Sequence, residues 1–323
     1  MLYLNEQDIR KAVTYQDMME AVEEALHLFT MGECAMTDRT TAGCGDMTML
    51  YMPCFAGGYV STKILASCPG NPARGLPALD GVVLLNRGDT GELEAILDGG
   101  TVTALRTGAV GGLAAKHLSR EDARRVGLIG CGVQGLHQLA FICAVREIRT
   151  ICLRSGPGRE AFIQRLREMI SPREPEIVLC SDADEVLRRS EIVVTATPSA
   201  APLFSDDPSL FEGKCLIAVG SWRPDMREIP DAVWADADEV FIELPFACEE
   251  SGDLSQPLAS GVLKSERIRY FGELLEAKRS GEAVKPGPTR YFKSVGMGVY
   301  DTMAARRIVQ KAVSKGIGRR LNR

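Results

Sequence analysis

Two cationic residues stand in settings that ask for a reason. Lys63 interrupts the apolar run Tyr59-Val-Ser-Thr-Lys63-Ile-Leu-Ala66, and an ammonium buried without a partner is costly. It reads either as a group held for chemistry or as an edge-strand lysine that discourages pairing with other chains. Arg106 lies in a stretch, Thr101 to Leu118, made mostly of small uncharged residues. Its planar fork suits a two-pronged grip on a carboxylate, with a structural ion pair as the other reading. Arg39, taken alone, is an ordinary loop arginine. A pocket built on such residues would hold a small acid.

A second chemistry is written in glycines. The run Val126-Gly-Leu-Ile-Gly130-Cys-Gly132-Val133-Gln134-Gly135 follows an apolar strand and opens a helix. In that context G-x-G-x-x-G reads as a dinucleotide cradle. Gly130 permits the tight turn, Gly132 lets backbone approach a pyrophosphate, and Gly135 lets the helix lie close to the sheet. The helix N-terminus then offers unpaired N–H groups and partial positive charge to phosphate. NAD enzymes usually carry an acid at the end of the next strand to bond the ribose 2'-hydroxyl. Here that strand ends Ile151-Cys152-Leu153-Arg154-Ser155, with Arg159 following and no acid before Glu160. Arg154 can pair with a 2'-phosphate, so NADP(H) is the preferred cofactor and NAD(H) a possible one. A solvated Arg154 is the alternative.

The elements that would position these residues fall into three parts. Thr14 caps a helix whose Met18, Val22, Ala25, Leu26 and Phe29 share one face, with Gly32 as its stop. Short runs at 47–52, 59–66, 82–85 and 93–97, separated by glycine-rich turns, predict an antiparallel sheet. Thr101 to Leu118 is helical, and its small residues predict close packing on another element or a ligand. From Arg124 onward strands at 126–129, 149–153, 176–180, 192–196, 215–219 and 240–242 alternate with helical stretches, which predicts a doubly wound parallel sheet. A last helix, 298–315, follows the extended run 290–295.

Composition excludes several functions. Hydrophobic residues are 45% and charged residues 25%, as in ordinary globular chains. The net charge of -5 and the absence of a basic stripe speak against nucleic acid. The basic run Lys311, Lys315, Arg319, Arg320 and Arg323 reads as a solvated helix end. No secretory signal or membrane span is expected. The ten cysteines show no C-x-x-C spacing and the three histidines no metal-binding pattern. No metal site is expected, and free thiols suggest the cytoplasm.

With these residues in view, the chain resembles the ornithine cyclodeaminase/mu-crystallin family along nearly its full length. The matching series begins with Asp38-Arg39, Lys63 and Thr103-Ala-Leu-Arg106-Thr107-Gly-Ala109, then reaches Gly130-Cys-Gly132-Val-Gln134. It continues with Thr195-Ala-Thr197, Gly220-Ser221, Pro224-Asp-Met-Arg-Glu228 and Glu250-Ser-Gly-Asp253, and ends with Phe292-Lys-Ser294-Val-Gly296 and Asp301. The resemblance implies an α/β chain: a doubly wound Rossmann NAD(P)-binding domain, 119–296, beside a discontinuous α+β domain for substrate binding and dimerisation. The latter would comprise 1–118 and a returning helix, 297–323, and would form a homodimer. Arg39, Lys63 and Arg106 map onto substrate-carboxylate and catalytic positions. Thr107, Val133, Gln134, Thr195, Thr197, Val219 and Ser221 join the glycines as cofactor-binding positions, and Ser294 joins the substrate pocket.

Two departures shape the expected reaction. True ornithine cyclodeaminases carry an acid before the proline of the sheet, where this chain has Leu50, and a catalytic aspartate where it has Trp222. Cyclodeamination needs such groups to move protons around a diamino acid. Leu50 and Trp222 therefore read as apolar pocket walls, Trp222 equally as a core aromatic. The expected activity is NADP(H)-dependent reduction of a small imino or 2-oxo acid, such as the cyclic ketimine pyrroline-2-carboxylate, or an amino-acid dehydrogenase. An ornithine cyclodeaminase and a non-enzymatic NADPH-dependent binding protein of mu-crystallin type are the alternatives.

Overall fold

In a computed structural model, which describes residues 1–237, 239–282 and 289–322, the cap expected at Thr14 is formed reciprocally. Asp17 N–H donates to Thr14 Oγ1 at 3.2 Å, and Thr14 N–H donates to the Asp17 carboxylate at 3.0 Å. The helix it starts buries Met18, Val22, Ala25 and Leu26, and Gly32 ends it with φ +71, a backbone state that suits glycine. The chain folds as two units, Met1–Arg106 with Gly296–Arg323, and Thr107–Val295. The expected boundary at 118 marks the end of a helix, whereas the division falls inside that helix.

The first unit contains strand β1 (Leu2–Leu4), helices α1 (Glu6–Ala12) and α2 (Tyr15–Thr30), and strands β2 (Cys34–Met36), β3 (Thr40–Cys44), β4 (Met47–Ala56), β5 (Tyr59–Ser67), β6 (Leu79–Arg87) and β7 (Leu93–Asp98). Its last helix, Gly298–Ser314, and a terminal strand, Arg319–Arg320, complete it. The sheet order is terminal strand, β1, β7, β6, β5, β4, β2, with β3 also on β4. The four predicted strands are present and antiparallel, but the sheet is mixed, because β1 runs parallel to β7 with Leu2 opposite Ala95. The sequence pattern does not announce β2, β3 or the terminal strand. β3 is exposed throughout, so its sequence carries no buried alternation to read.

Strand β4 continues through Pro53 because of where its neighbours stop. β3 pairs only as far as Tyr51 and β2 begins at Cys54, so Pro53 falls in a gap in the ladder on that side. Pleating puts Leu50, Met52 and Cys54 of β4, Lys63 and Leu65 of β5, Val83 and Leu85 of β6, and Ala95 and Leu97 of β7 in the buried layer. The last helix packs on β4, β5 and α2. In the basic run, Lys311 departs from the solvated reading by pairing with Asp17 at 2.6 Å, whereas Lys315, Arg319 and Arg320 are exposed; Arg306 and Arg307 of the same helix pair with Glu24 and Glu20. Arg323 lies outside the described residues.

The second unit is built on β8 (Arg125–Ile129), β9 (Thr150–Arg154), β10 (Glu176–Cys180), β11 (Ile192–Thr195), β12 (Cys215–Ala218), β13 (Glu239–Ile242), β14 (Ile268–Tyr270) and β15 (Arg290–Lys293). Their order is β10, β9, β8, β11, β12, β15, β13, β14, and each recorded pairing is parallel. This is the doubly wound α/β sheet that the sequence predicts. β11 and β12 are buried along their whole length, which explains their unbroken apolar sequence. Helix α3 (Gly99–Leu118) runs across the division of the chain, and helix α4 (Val133–Val145) follows β8. The small residues of α3 do allow close approach. A Cβ on Gly108 would press on Phe141, and one on Gly111 would collide with Gln138, both on α4.

Candidate active site

Within the first unit, Lys63 projects from the central strand β5, between Met52 of β4 and Val83 of β6. It is only 1% exposed. Its ammonium lies 2.6 Å from Oδ2 of Asp301, in the first turn of the last helix, and Arg106 Nε donates to Oδ1 of the same carboxylate at 3.2 Å. Asp301 is fully buried. One carboxylate therefore serves two cations, and positive charge remains in excess. Among the described residues the two Nη groups of Arg106 make no other hydrogen bond, which leaves donors for an acid. Gly296, at φ +80, is the residue that makes room: a Cβ there would collide with Arg106 Nη1.

The electrostatics follow from this crowding. Burial pushes the Lys63 ammonium from 10.5 down to about 7; Asp301 opposes the shift, and Arg106 and Arg39 add to it. Near neutrality Lys63 can thus hold or release a proton. Arg39, half-buried between β2 and β3, belongs to this cluster through its charge. Leu50 lies in the same buried layer of the sheet, opposite Leu65. An apolar wall stands there with no acid in it.

The second unit carries the cradle. Gly130 adopts φ +107, and a Cβ on it would collide with the Ala196 carbonyl oxygen. A Cβ on Gly135 would collide with the Gly130 carbonyl oxygen, so the helix can approach only because that residue is glycine. Gly132, by contrast, faces open space, and it caps α4 with no side-chain hydrogen bond. Val133 follows it at 61% exposure, a large apolar side chain at the mouth of the turn. Gln134 Oε1 is buried with no hydrogen-bond partner. Arg154 and Ser155 are exposed where β9 ends, and Arg159 is held over that end by its Nε, which donates to the Arg154 carbonyl at 2.5 Å.

Several expected site residues have partners that sequence does not reveal. Thr107 is buried, and its carbonyl accepts a 2.7 Å bond from Gln138. The Thr195 and Thr197 hydroxyls both donate to Glu228. Val219 is half-buried and its N–H donates to Thr195 O. Ser221 is buried, with its hydroxyl on Met226 O at 2.7 Å and against Ser251. Ser294 is likewise closed in, donating to Glu243 at 2.7 Å. Trp222 is half-buried with Arg223 over its ring, so it is not a core aromatic; Trp234 is.

The residues that sequence reasoning passed over as site members are acids. Asp301 carried a signal, since it is a lone charge in the run Met297 to Ala305. Glu228 sits in a polar segment where an acid looks solvated. Among the described residues no cluster of metal-ligating side chains occurs, and no helix is long and apolar enough to cross a membrane.

Known proteins resemble this chain over nearly its whole length. Residues 2–316 match the profile of the ornithine cyclodeaminase/mu-crystallin family. A Delta(1)-pyrroline-2-carboxylate reductase of Bacillus cereus is 32% identical over 329 aligned positions, covering 99% of each chain. The solved structure of Thermococcus litoralis Delta(1)-pyrroline-2-carboxylate reductase with NADH and L-proline gives a TM-score of 0.90 at 27% identity, covering 99% of this chain and 100% of that one. An archaeal alanine dehydrogenase dimer with bound NAD gives 0.88 at 26% identity, covering 100% and 99%. Full-length likeness in both sequence and structure carries the conclusion: this chain belongs to the ornithine cyclodeaminase/mu-crystallin family.

Proposed function

We propose that the chain is an NAD(P)-dependent oxidoreductase that reduces the carbon–nitrogen double bond of a small imino acid, with a cyclic ketimine carboxylate such as Delta(1)-pyrroline-2-carboxylate as the first candidate. The observation that carries this reading is the single buried carboxylate of Asp301 shared by Lys63 and Arg106. It keeps two cations in place and leaves net positive charge for an anionic substrate.

The second unit fits a dinucleotide. Gly132 leaves open space over an uncapped helix N-terminus, and the unpartnered Gln134 Oε1 waits at its first turn. Gly130, Gly132, Val133, Gln134 and Gly135 would hold the pyrophosphate and neighbouring ribose, and the family pattern adds Thr107, Thr197 and Val219. When bound, the reduced nucleotide supplies the hydride that the imine carbon receives. Arg154, Ser155 and Arg159 support NADP(H) over NAD(H), because the exposed guanidinium of Arg154 and the half-buried one of Arg159, with no carboxylate, occupy the end of β9.

The protein's own part in the reaction is electrostatic. Arg106 and Arg39 bind the substrate carboxylate; each charged hydrogen bond contributes about 1.5–3 kcal/mol. The Lys63 ammonium gives its proton to the substrate nitrogen, and solvent restores it. Because its pKa is lowered to about 7, the proton is held loosely enough to be given. Leu50 supports reduction over cyclodeamination, since no acid stands there for a substrate's terminal amine. Reductive amination of a 2-oxo acid is served by the same groups.

Association into a homodimer belongs to the proposal. The outer face of the first unit's sheet exposes Met47, Tyr51 and Phe55 on one side of β4, with Ile64 and Leu84 half-exposed beside them. A cytoplasmic location is also proposed, supported by ten unbridged cysteines. The test is NADPH oxidation with a panel of cyclic ketimine carboxylates and 2-oxo acids. Turnover with the ketimines supports the reading, whereas nucleotide binding with no turnover on any member would favour a binding protein.

A further inference from the structure

Glu228 lies in the segment that follows β12, and its side chain is fully buried. Its carboxylate gathers the ends of two adjacent strands. Oε1 accepts from Thr197 N–H at 2.7 Å and Thr197 Oγ1 at 2.8 Å. Oε2 accepts from Thr195 Oγ1 at 2.9 Å and Gly220 N–H at 3.0 Å. Thr195 ends β11 and Gly220 follows β12, so both ties lie at the carboxyl edge of the parallel sheet, where such folds bind their ligands.

The same edge bears on the glycine turn. Ala196, between the two tied threonines, donates its N–H to Ile129 O at 2.8 Å, and its carbonyl is the group that forbids a side chain on Gly130. Glu228 is itself held. Asp253 accepts from Glu228 N–H at 2.6 Å and from Ile229 N–H at 3.1 Å, and it pairs with the buried Lys293 at 2.8 Å. Nothing in the proposed chemistry uses this chain of groups directly, yet it fixes the strand ends on which the cradle rests.

We infer that Glu228 is a positioning residue for the dinucleotide, acting through the Thr197 and Gly220 backbone that its two oxygens tie together at the edge of the Gly130 turn. This inference rests on the dinucleotide reading above. Each oxygen takes a backbone N–H, a donor that cannot reverse. A glutamine has only one acceptor oxygen, so its NH2 would face one of those two N–H groups and release one strand end. Two acceptor oxygens are needed.

The experiment compares full-length wild type, Glu228→Gln and Thr195→Val for NADPH affinity, read from the nucleotide's fluorescence, and for imine KM at saturating NADPH. Glu228→Gln is expected to raise the NADPH Kd by about tenfold or more, the equivalent of one charge-assisted bond, with imine KM unchanged. Thr195→Val removes one hydroxyl bond and keeps both N–H bonds; it is expected to raise Kd by about threefold, and it carries the test if Glu228→Gln does not fold. Unchanged NADPH affinity in the folded variants, or an equal rise in imine KM, overturns the inference while leaving the proposed function standing. Wild type without affinity for either reduced nucleotide overturns both.

Discussion

Lys63 Nζ lies 2.6 Å from Asp301 Oδ2, with both side chains closed to solvent. The strand lysine and the helix aspartate come from opposite ends of the chain, and each makes the burial of the other tolerable. Burial also loosens the lysine's proton. Raising pH through about 7 removes that proton, so imine reduction should fall as pH rises across that range. A pH–rate profile checks this: wild type should show the falling limb, and Lys63→Met should be slow and lack it.

The same pair affects stability with a definite sign. The folded lysine titrates near 7 and the unfolded one near 10.5, so between those values the unfolded chain binds the extra proton. Stability should therefore rise with pH across that window. Asp301→Asn removes the carboxylate and leaves Lys63 and Arg106 buried without it, a loss of about 3–5 kcal/mol. Urea unfolding of the two proteins at pH 7 measures it.

Arg106 should act on the acid and not on the nucleotide. Its Nε is anchored on Asp301, and its Nη groups remain as donors. Arg106→Ala is expected to raise imine KM by about tenfold to a hundredfold, in proportion to one or two charged hydrogen bonds. NADPH Kd, measured on the same protein, should change little.

Cofactor choice rests on the end of β9. Arg154→Ala should weaken NADPH binding by about tenfold and leave NADH binding nearly unchanged, because only the former carries a 2'-phosphate. Titration of each nucleotide against both proteins reads the difference. Wild-type preference for NADH would overturn that part of the proposal.

Leu50 makes a negative prediction. It is buried opposite Leu65, where a cyclodeaminase carries an acid. Ornithine with catalytic NAD should release no ammonia in the presence of this protein. Leu50→Ala should instead lower stability by about 2–5 kcal/mol, as for other buried leucines.

How much of this was legible depended on how local each signal was. The Gly130 turn and the alternation of strand and helix around it could be read because glycine geometry and apolar period act over a few residues. The Thr14 cap was readable for the same reason, with its Asp17 partner three positions on. β3 was not, because a fully exposed strand has no buried face to set its pattern. Lys63 and Arg106 announced themselves by being charged in apolar company, but their shared partner Asp301 lies far along the chain, and sequence cannot supply a tertiary contact. The hydroxyls of Thr195, Ser221 and Ser294 looked like ligand contacts; those of Thr195 and Ser294 reach buried acids far along the chain, whereas that of Ser221 reaches the Met226 carbonyl close by in sequence. Glu228 was hidden because an acid between arginine and isoleucine near two prolines resembles a solvated loop.

NADPH oxidation by the purified protein with Delta(1)-pyrroline-2-carboxylate, run beside Lys63→Met and Arg106→Ala, tests the cationic site most directly. Wild type is expected to turn over, Lys63→Met to be slow and Arg106→Ala to show a raised KM. Wild-type rates in both variants would contradict this reading of the site.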